Sequence, residues 1–271
     1  MKRLQLIVAY DGTDFCGWAP QKDQRTVQST LTDIVRQVSG EDCEIIGASR
    51  TDSGAHADYQ VCHFDTNWKA DPVQIPRILN NMLPQDIGIQ KAKFVPDSFH
   101  SRFSAVDRTY RYRIRQSPRN PNISRFTHDY WKKLDLKAMQ EASKCLVGVH
   151  DFRAFSEEVE PEANAIREIF EINVRGAGRE IWIDIRGNAF MRGMMRRISG
   201  GLFEVGRGRR PGSDIAGLLD LERRETIHWP VVLPAKGLCL KNIRYGRHPR
   251  DFRSRYQQTD LTGEIPHLEN K

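Results

Sequence analysis

Along this chain the apolar residues have in some segments the spacing of a strand and in others the spacing of a helix. The same order of strand and helix segments occurs twice. Alternation of apolar and polar residues predicts a strand, whereas a spacing of about 3.6 residues predicts an amphipathic helix. The first half is predicted to hold, in order, a strand over 3–9, a helix over 26–39, strands near 43–48 and 59–65, a helix over 73–82 and a strand over 87–95. This βαββαβ order is typical of the ferredoxin-like unit.

The second half repeats this order of elements. Its predicted elements are a strand over 110–114, a helix over 136–147, strands over 169–174 and 181–185, a helix over 190–205 and a last strand over 238–243. We therefore predict an α+β fold of two ferredoxin-like, RRM-like subdomains, residues 1–104 and 105–245. Their sheets are expected to join around a central basic cleft that suits a large charged ligand. Residues 246–271 are polar and charged, which predicts a loosely held tail.

Composition narrows the class of protein. The formal net charge of the 271 residues is +7, which favours a polyanionic partner. The five cysteines are scattered without any Cys-x-x-Cys pair, so neither a zinc site nor a disulfide framework is expected. The apolar run at the start is too short for a signal peptide, and no stretch is long enough for a membrane span. These features predict a soluble, cytoplasmic protein.

One short segment suggests chemistry. Residues 47–57 read Gly-Ala-Ser-Arg-Thr-Asp-Ser-Gly-Ala-His-Ala and place Asp52 two residues after Arg50, at the end of a predicted strand. A carboxylate beside a guanidinium stays ionised, as a nucleophile requires. Asp-Ser-Gly is also ordinary turn chemistry, so the segment alone does not decide between a site and a turn.

Basic residues are concentrated in three arginine clusters, residues 102–115, 192–210 and 244–255. Single charges usually belong to a solvated surface. In the helix predicted over 190–205, however, Arg192 and Arg196 lie four residues apart and opposite the apolar face, where they would form a basic ridge. Tyr110 and Tyr112 share one face of their strand. They are expected either to stack on nucleic-acid bases or to be part of the core.

The motifs, taken together, resemble those of the tRNA pseudouridine synthase A family. The resemblance runs from about Tyr10 to Tyr245. It is carried by Tyr10-Asp11-Gly12-Thr13, Arg50-Thr51-Asp52, Phe99-His100-Ser101-Arg102-Phe103, Arg108-Thr109-Tyr110-Arg111-Tyr112, Gly148-Val149-His150-Asp151-Phe152 and Gly237-Leu238-Cys239-Leu240. The chain departs from the family pattern at Ser49, where the family has glycine, and after Trp18, where Ala19-Pro20-Gln21 follows.

The resemblance implies roles for particular residues. Asp52 corresponds to the catalytic aspartate, Tyr110 to the active-site tyrosine and Arg196 to the arginine that pairs with the aspartate. The residues expected to contact RNA are Arg50, Arg102, Arg108, Arg192 and Tyr112. The family works without a metal or other cofactor, as a homodimer that binds tRNA, on uridines at positions 38, 39 and 40 of the anticodon stem-loop.

A single carboxylate is enough for this isomerisation, because the uracil that leaves ribose C1′ is kept and attaches again through C5. A glycosidase, in contrast, generally needs two carboxylates. Asp52 could attack C1′, attack C6 of uracil, or remove a ribose proton to give a glycal, and the sequence does not choose among these. Two other functions compete with the isomerase. One is a non-catalytic RNA-binding protein with two RRM-like sheets, and the other is a hydrolase with Asp11 or Asp58 as second carboxylate.

Overall fold

A computed structural model describes residues 1–157, 163–227 and 231–246, and the elements below belong to those ranges. The strands are β1 (Lys2–Tyr10), β2 (Ile46–Gly47), β3 (His56–Thr66), β4 (Ile87–Val95), β5 (Ala105–Arg115), β6 (His128–Asp129), β7 (Gly148–Asp151), β8 (Ile166–Ala177), β9 (Glu180–Gly187) and β10 (Leu238–Tyr245). The α-helices are α1 (Val27–Ser39), α2 (Ile75–Asn80), α3 (Pro121–Ser124), α4 (Leu136–Ser143), α5 (Met194–Gly206) and α6 (Ser213–Gly217).

All the strands belong to one mixed sheet, in the order β4-β1-β3-β10-β5-β9-β8-β7, with β2 paired to β3 and β6 to β5. Neighbours along this order are antiparallel except β3 and β10, which run parallel. We call the β3–β10 pair the seam, because it joins strands of the first half of the chain to strands of the second. Its register pairs Cys239 with His56 and Leu240 with Ala57. The predicted α+β class is therefore confirmed.

The helix predicted over 26–39 is present as α1. The Thr26 hydroxyl caps the helix by accepting from the Ser29 amide, and Gly40 ends it in the left-handed conformation at φ 72°. Leu31 and Val35 lie on one face of the helix and are fully buried. Local capping and periodicity agree here with tertiary packing, so the sequence locates both ends to within a residue.

The helix predicted over 190–205 begins later than expected. Gly193 has a φ of 71°, which is outside the helical range, and α5 starts at Met194. Arg192 therefore lies before the helix, and the predicted ridge of Arg192 and Arg196 on one helix face is wrong. The predicted apolar positions within α5 are correct, since Met194, Ile198 and Leu202 are fully buried.

The faces of β5 alternate as predicted. Tyr110 and Tyr112 point into the core. Arg111 and Arg113 lie on the opposite face, where they form ion pairs with acidic residues of β9 at 2.6 and 2.8 Å. Two of the five arginines of the first cluster are therefore already paired with acids within the protein.

Other element boundaries differ modestly from the predictions. The strand expected near 43–48 pairs only as β2, and the strand expected over 59–65 extends back to His56, because the seam adds pairing at that end. The short elements α3, β6, β7 and α6 were not predicted. The predicted tail lies, after Gly246, outside the residues that the structure describes. None of the described helices is long and apolar enough to cross a membrane.

Candidate active site

Asp52 lies on the loop between β2 and β3, and a tight turn at Ser53 and Gly54 follows it. Gly54 has a φ of 79°, and the Ala55 amide donates to the Asp52 carbonyl at 3.0 Å to close the turn. The Asp52 side chain is 25% exposed. The carboxylate is therefore held at the surface of a loop, accessible to a ligand but not freely mobile.

The segment that follows β1 holds this loop in place, and we call residues 11–18 the opening loop. The Trp18 amide donates to the Thr51 carbonyl at 3.2 Å, and the Gly54 amide donates to the Phe15 carbonyl at 3.2 Å. These bonds fix the backbone on both sides of the carboxylate. The opening loop therefore has a structural role at the site.

Two glycines let the loops approach closely. A Cβ at Gly12 would lie 1.8 Å from the Ala55 carbonyl oxygen. A Cβ at Gly17, whose φ is 85°, would lie 2.7 Å from the Thr51 carbonyl oxygen. The Gly12 amide donates to Nδ1 of His56 at 3.0 Å, and burial lowers the pKa of that imidazole. His56 therefore acts as a neutral cross-link between the loops.

Arg196 approaches Asp52 from the other half of the chain. It lies in the first turn of α5, and its Nη1 is 3.1 Å from Oδ2 of Asp52. Its Nε donates to the Leu233 carbonyl at 2.8 Å, which fixes the direction of the guanidinium. The two side chains are only 22% and 25% exposed, so solvent screens their attraction less than at an open surface.

A second carboxylate, which the sequence analysis did not identify, approaches the same arginine. Oε1 of Glu157 lies 3.8 Å from Nη1 of Arg196, and Oε2 lies 3.6 Å from Nε of Arg192. Glu157 belongs to no motif and to no predicted helix or strand, so no signal in the sequence indicates it. The structure thus places one guanidinium between two acids, with Asp52 the nearer.

Tyr110 of β5 contacts the loop that carries Asp52, because its hydroxyl lies 2.6 Å from Oγ of Ser49. Burial raises the pKa of Tyr110, the hydrogen bond from Ser49 opposes that shift, and the charge of Asp52 adds to it. The ring is only 4% exposed and packs edge-on against Phe190, with centroids 5.0 Å apart. The ring therefore presents no open face, and the expectation that it stacks on a base is corrected. Its hydroxyl is the chemically useful end.

Two of the residues expected to contact RNA are part of the folded interior, and these expectations are corrected. Tyr112 has no exposed surface, and its hydroxyl donates to the Pro234 carbonyl at 2.7 Å. Arg108 is buried, and its guanidinium donates to the carbonyls of Arg102 and Asn188, at 2.7 Å each. Strand alternation shows which residues share a face, but not what packs against that face.

The other three expected RNA contacts lie at the surface. Arg50, Arg102 and Arg192 are exposed, so each guanidinium can reach a phosphate. No contact joins Arg50 to Asp52 within the described residues, although the two are close in sequence. Arg196, which is distant in sequence, is the arginine that pairs with the carboxylate.

The acids expected of a hydrolase lie elsewhere. Asp58 of β3 pairs with Lys241, and Asp11 pairs with Arg125 at 3.0 Å. Both acids line a groove of about 590 Å³ on the sheet face that carries Arg111. No group of three or more potential metal ligands is present in the described ranges. The arrangement that remains is two accessible carboxylates, Asp52 and Glu157, on either side of Arg196, with the buried Tyr110.

The chain is similar to known proteins over most of its length. A family model described as tRNA pseudouridine synthase matches residues 6–104 and 142–246. A protein named tRNA pseudouridine synthase A from Syntrophotalea carbinolica is 36% identical over 93% of this chain and 98% of its own length. One with the same name from Brevibacillus brevis is 39% identical over 90% of this chain and 100% of its own. A solved archaeal box H/ACA sRNP Nop10-Cbf5 complex is similar at a TM-score of 0.36 with 8% identity, over 95% of this chain and 56% of that one, which is too slight to support an argument.

Proposed function

The chain belongs to the tRNA pseudouridine synthase family, and we propose that it converts uridine to pseudouridine in the anticodon stem-loop of tRNA with Asp52 as its nucleophile. The observation that carries the proposal is the 3.1 Å contact between Asp52 and Arg196, which joins the two halves of the chain at one accessible carboxylate. Membership of the family disfavours the alternative of a non-catalytic RNA-binding protein.

The reaction is an isomerisation within one nucleotide. The bond from ribose C1′ to uracil N1 breaks, a bond from C1′ to C5 forms, the proton on C5 leaves and N1 gains a proton. No other acceptor and no redox step are required, so the protein has to supply a nucleophile, a proton acceptor and orientation. Asp52 fits attack at C1′ or at C6, or removal of a ribose proton to give a glycal.

The partners of Asp52 fit distinct roles. Arg196 orients the carboxylate, because its Nε is anchored on a backbone carbonyl while its Nη1 faces the acid. The Tyr110 hydroxyl assists removal of the C5 proton, directly or through water. Both groups come from the second half of the chain, whereas the nucleophile comes from the first.

RNA binding rests on surface charge. Arg50, Arg102 and Arg192 are our candidates for phosphate contacts, which would offset the few kcal/mol that unstacking a base costs. The targets in this proposal are uridines 38, 39 and 40, and the acting form is a cytoplasmic homodimer that binds one tRNA.

The two halves have the strand order of a repeated unit. The order is β4-β1-β3-β2 in the first half and β10-β5-β9-β8 in the second, with the first strand of each half between its third and last. This order supports two ferredoxin-like subdomains, residues 1–104 and 105–245, around the site.

An Asp52→Asn variant tests the proposed function. It removes the nucleophile without changing the size of the side chain, so we expect tritium release from tRNA labelled at uracil C5 to stop, while the dissociation constant for tRNA changes by no more than about threefold. Asp58→Asn is the matched control, because it makes the same change on β3 in a carboxylate that pairs with Lys241. The control should release tritium at the wild-type rate. Substantial tritium release by Asp52→Asn would refute the role of Asp52.

A further inference from the structure

The hydroxyl of Tyr110 is hydrogen-bonded to a residue of the loop between β2 and β3, which carries Asp52. The Tyr110 hydroxyl lies 2.6 Å from Oγ of Ser49, and Ser49 is its only hydrogen-bond partner among the residues that the structure describes. Tyr110 is 4% exposed and the bond is partly buried, so bulk water competes for it less than at an open surface. The direction of the tyrosine hydroxyl is therefore set by one serine.

Ser49 is itself rigidly placed. Its amide donates to Oε1 of Gln60 at 3.2 Å, and its carbonyl accepts from Nε2 of Gln60 at 2.6 Å. Gln60 belongs to β3 and has no exposed surface. The neighbouring Ala48 amide donates to the Val61 carbonyl at 2.8 Å. The backbone of Ser49 is thus held by β3 on both of its polar groups, and its hydroxyl has little freedom to move away from the tyrosine.

We infer that Ser49 is a positioning residue for the Tyr110 hydroxyl in the C5 deprotonation step, an inference that rests on the proposed function. A phenolic hydroxyl has one proton and can accept at its oxygen. The bond to Ser49 occupies one of these positions and leaves the other to hold a water that takes up the C5 proton, so the phenol itself stays neutral and N1 regains a proton from water. Without it the hydroxyl rotates, and fewer encounters with the substrate have the geometry that proton transfer needs.

The position of Ser49 also links the loop of the nucleophile to the Tyr110 hydroxyl. Ser49 lies three residues before Asp52, on the loop that the opening loop holds in place, while Tyr110 lies on β5 across the seam. Besides the Asp52–Arg196 contact, the Ser49–Tyr110 bond is a second polar connection between the two halves at the site. The two connections hold the Asp52 carboxylate and the Tyr110 hydroxyl in fixed positions relative to each other.

The test compares Ser49→Ala with Ser49→Thr. Alanine removes the hydroxyl and leaves the buried backbone bonds to Gln60 intact, so we expect the single-turnover rate of C5 tritium release to fall about tenfold, which corresponds to one net hydrogen bond. The dissociation constant for tRNA should stay within about twofold of wild type, because Ser49 does not contact RNA in this proposal. Threonine keeps the hydroxyl and should restore the rate to within about threefold.

Ser143→Ala is the matched control, since it also removes a serine hydroxyl that makes one hydrogen bond, here to the Gln140 carbonyl within α4 at 2.8 Å. The control should leave the rate within about twofold of wild type. The inference fails if Ser49→Ala turns over at the wild-type rate, if Ser143→Ala loses as much, or if Ser49→Thr gives no recovery. Each of these results leaves the proposed function standing, whereas tritium release by Asp52→Asn would overturn the proposed function itself.

Discussion

Replacing Arg196 tests whether its contacts with Asp52 and with the Leu233 carbonyl matter more for the reaction rate than for stability. An Arg196→Ala variant loses the bond from Nε to the Leu233 carbonyl, at 2.8 Å, and the ion pair with Asp52, at 3.1 Å. The hydrogen bond stabilises by about 1 kcal/mol. The ion pair, whose side chains are about a quarter exposed, contributes no more than about 1 kcal/mol. A loss of about 2 kcal/mol lowers Tm by about 4 to 8 °C in a chain of this size.

The effect on the rate should be much larger than the effect on stability. Removing one preorganised group beside the reacting centre typically costs a factor of about 100 to 1,000. We therefore expect single-turnover tritium release at saturating tRNA to fall at least about a hundredfold, well below Tm. Arg196→Lys keeps a charge, but its single ammonium cannot replace two guanidinium nitrogens that face different partners, so a loss of about tenfold is expected.

The matched control is Arg207→Ala, because Arg207 follows the last turn of the same helix and pairs with Glu204 at 2.7 Å. It should lower Tm by a similar amount and leave the rate within about twofold of wild type. The reasoning is refuted if folded Arg196→Ala works within about threefold of the wild-type rate. It is refuted equally if Arg207→Ala slows tritium release as much.

The remaining predictions concern stability and the corrected RNA contacts. Burial, aided by the charge of His100, lowers the pKa of His63 to about 4. The unfolded chain takes up this proton near pH 6.5, so the free energy of unfolding should fall from pH 6.5 toward pH 4, by at most about 2 kcal/mol at pH 5. Urea titrations at pH 7.5 and 5 should show a smaller loss in His63→Gln, and an equal loss contradicts this origin. Tyr112→Phe loses its bond to the Pro234 carbonyl and should cost about 1 kcal/mol of stability without changing tRNA affinity, whereas a tenfold weaker filter-binding constant would restore Tyr112 as an RNA contact.

The sequence predicts elements well where local signals agree with packing. Thr26 and Gly40 locate the ends of α1, because a cap and a left-handed glycine act within a few residues. The start of α5 is harder, since the apolar spacing continues through Phe190 and gives no sign that Gly193 takes a positive φ. The length of β3 also depends on tertiary pairing, because β1 of the first half and β10 of the second half both pair with it.

Some residues of the candidate site are likewise indicated by the sequence, and others are not. The resemblance indicates Asp52, Tyr110 and Arg196, and the structure shows the contact between Asp52 and Arg196 and the bond of Tyr110 to Ser49, three residues before Asp52. Their catalytic roles stay predictions. The burial of Tyr112 and the approach of Glu157 to Arg196 depend on tertiary contacts that leave no periodic signal in the sequence.

The seam has a mechanical consequence for catalysis. Asp52 lies four residues before His56, where the first strand of the seam begins, and the seam itself is only two residue pairs long. The loop of Asp52 is bonded to the first half of the chain, at Trp18, and the Arg196 guanidinium to the second half, at Leu233. A small rotation of one half against the other would therefore change the distance between the carboxylate and the guanidinium. If Asp52 and Arg196 act as proposed, a substitution at Cys239 or Leu240, which pair with His56 and Ala57, would alter the distance between them and slow the reaction without touching either side chain.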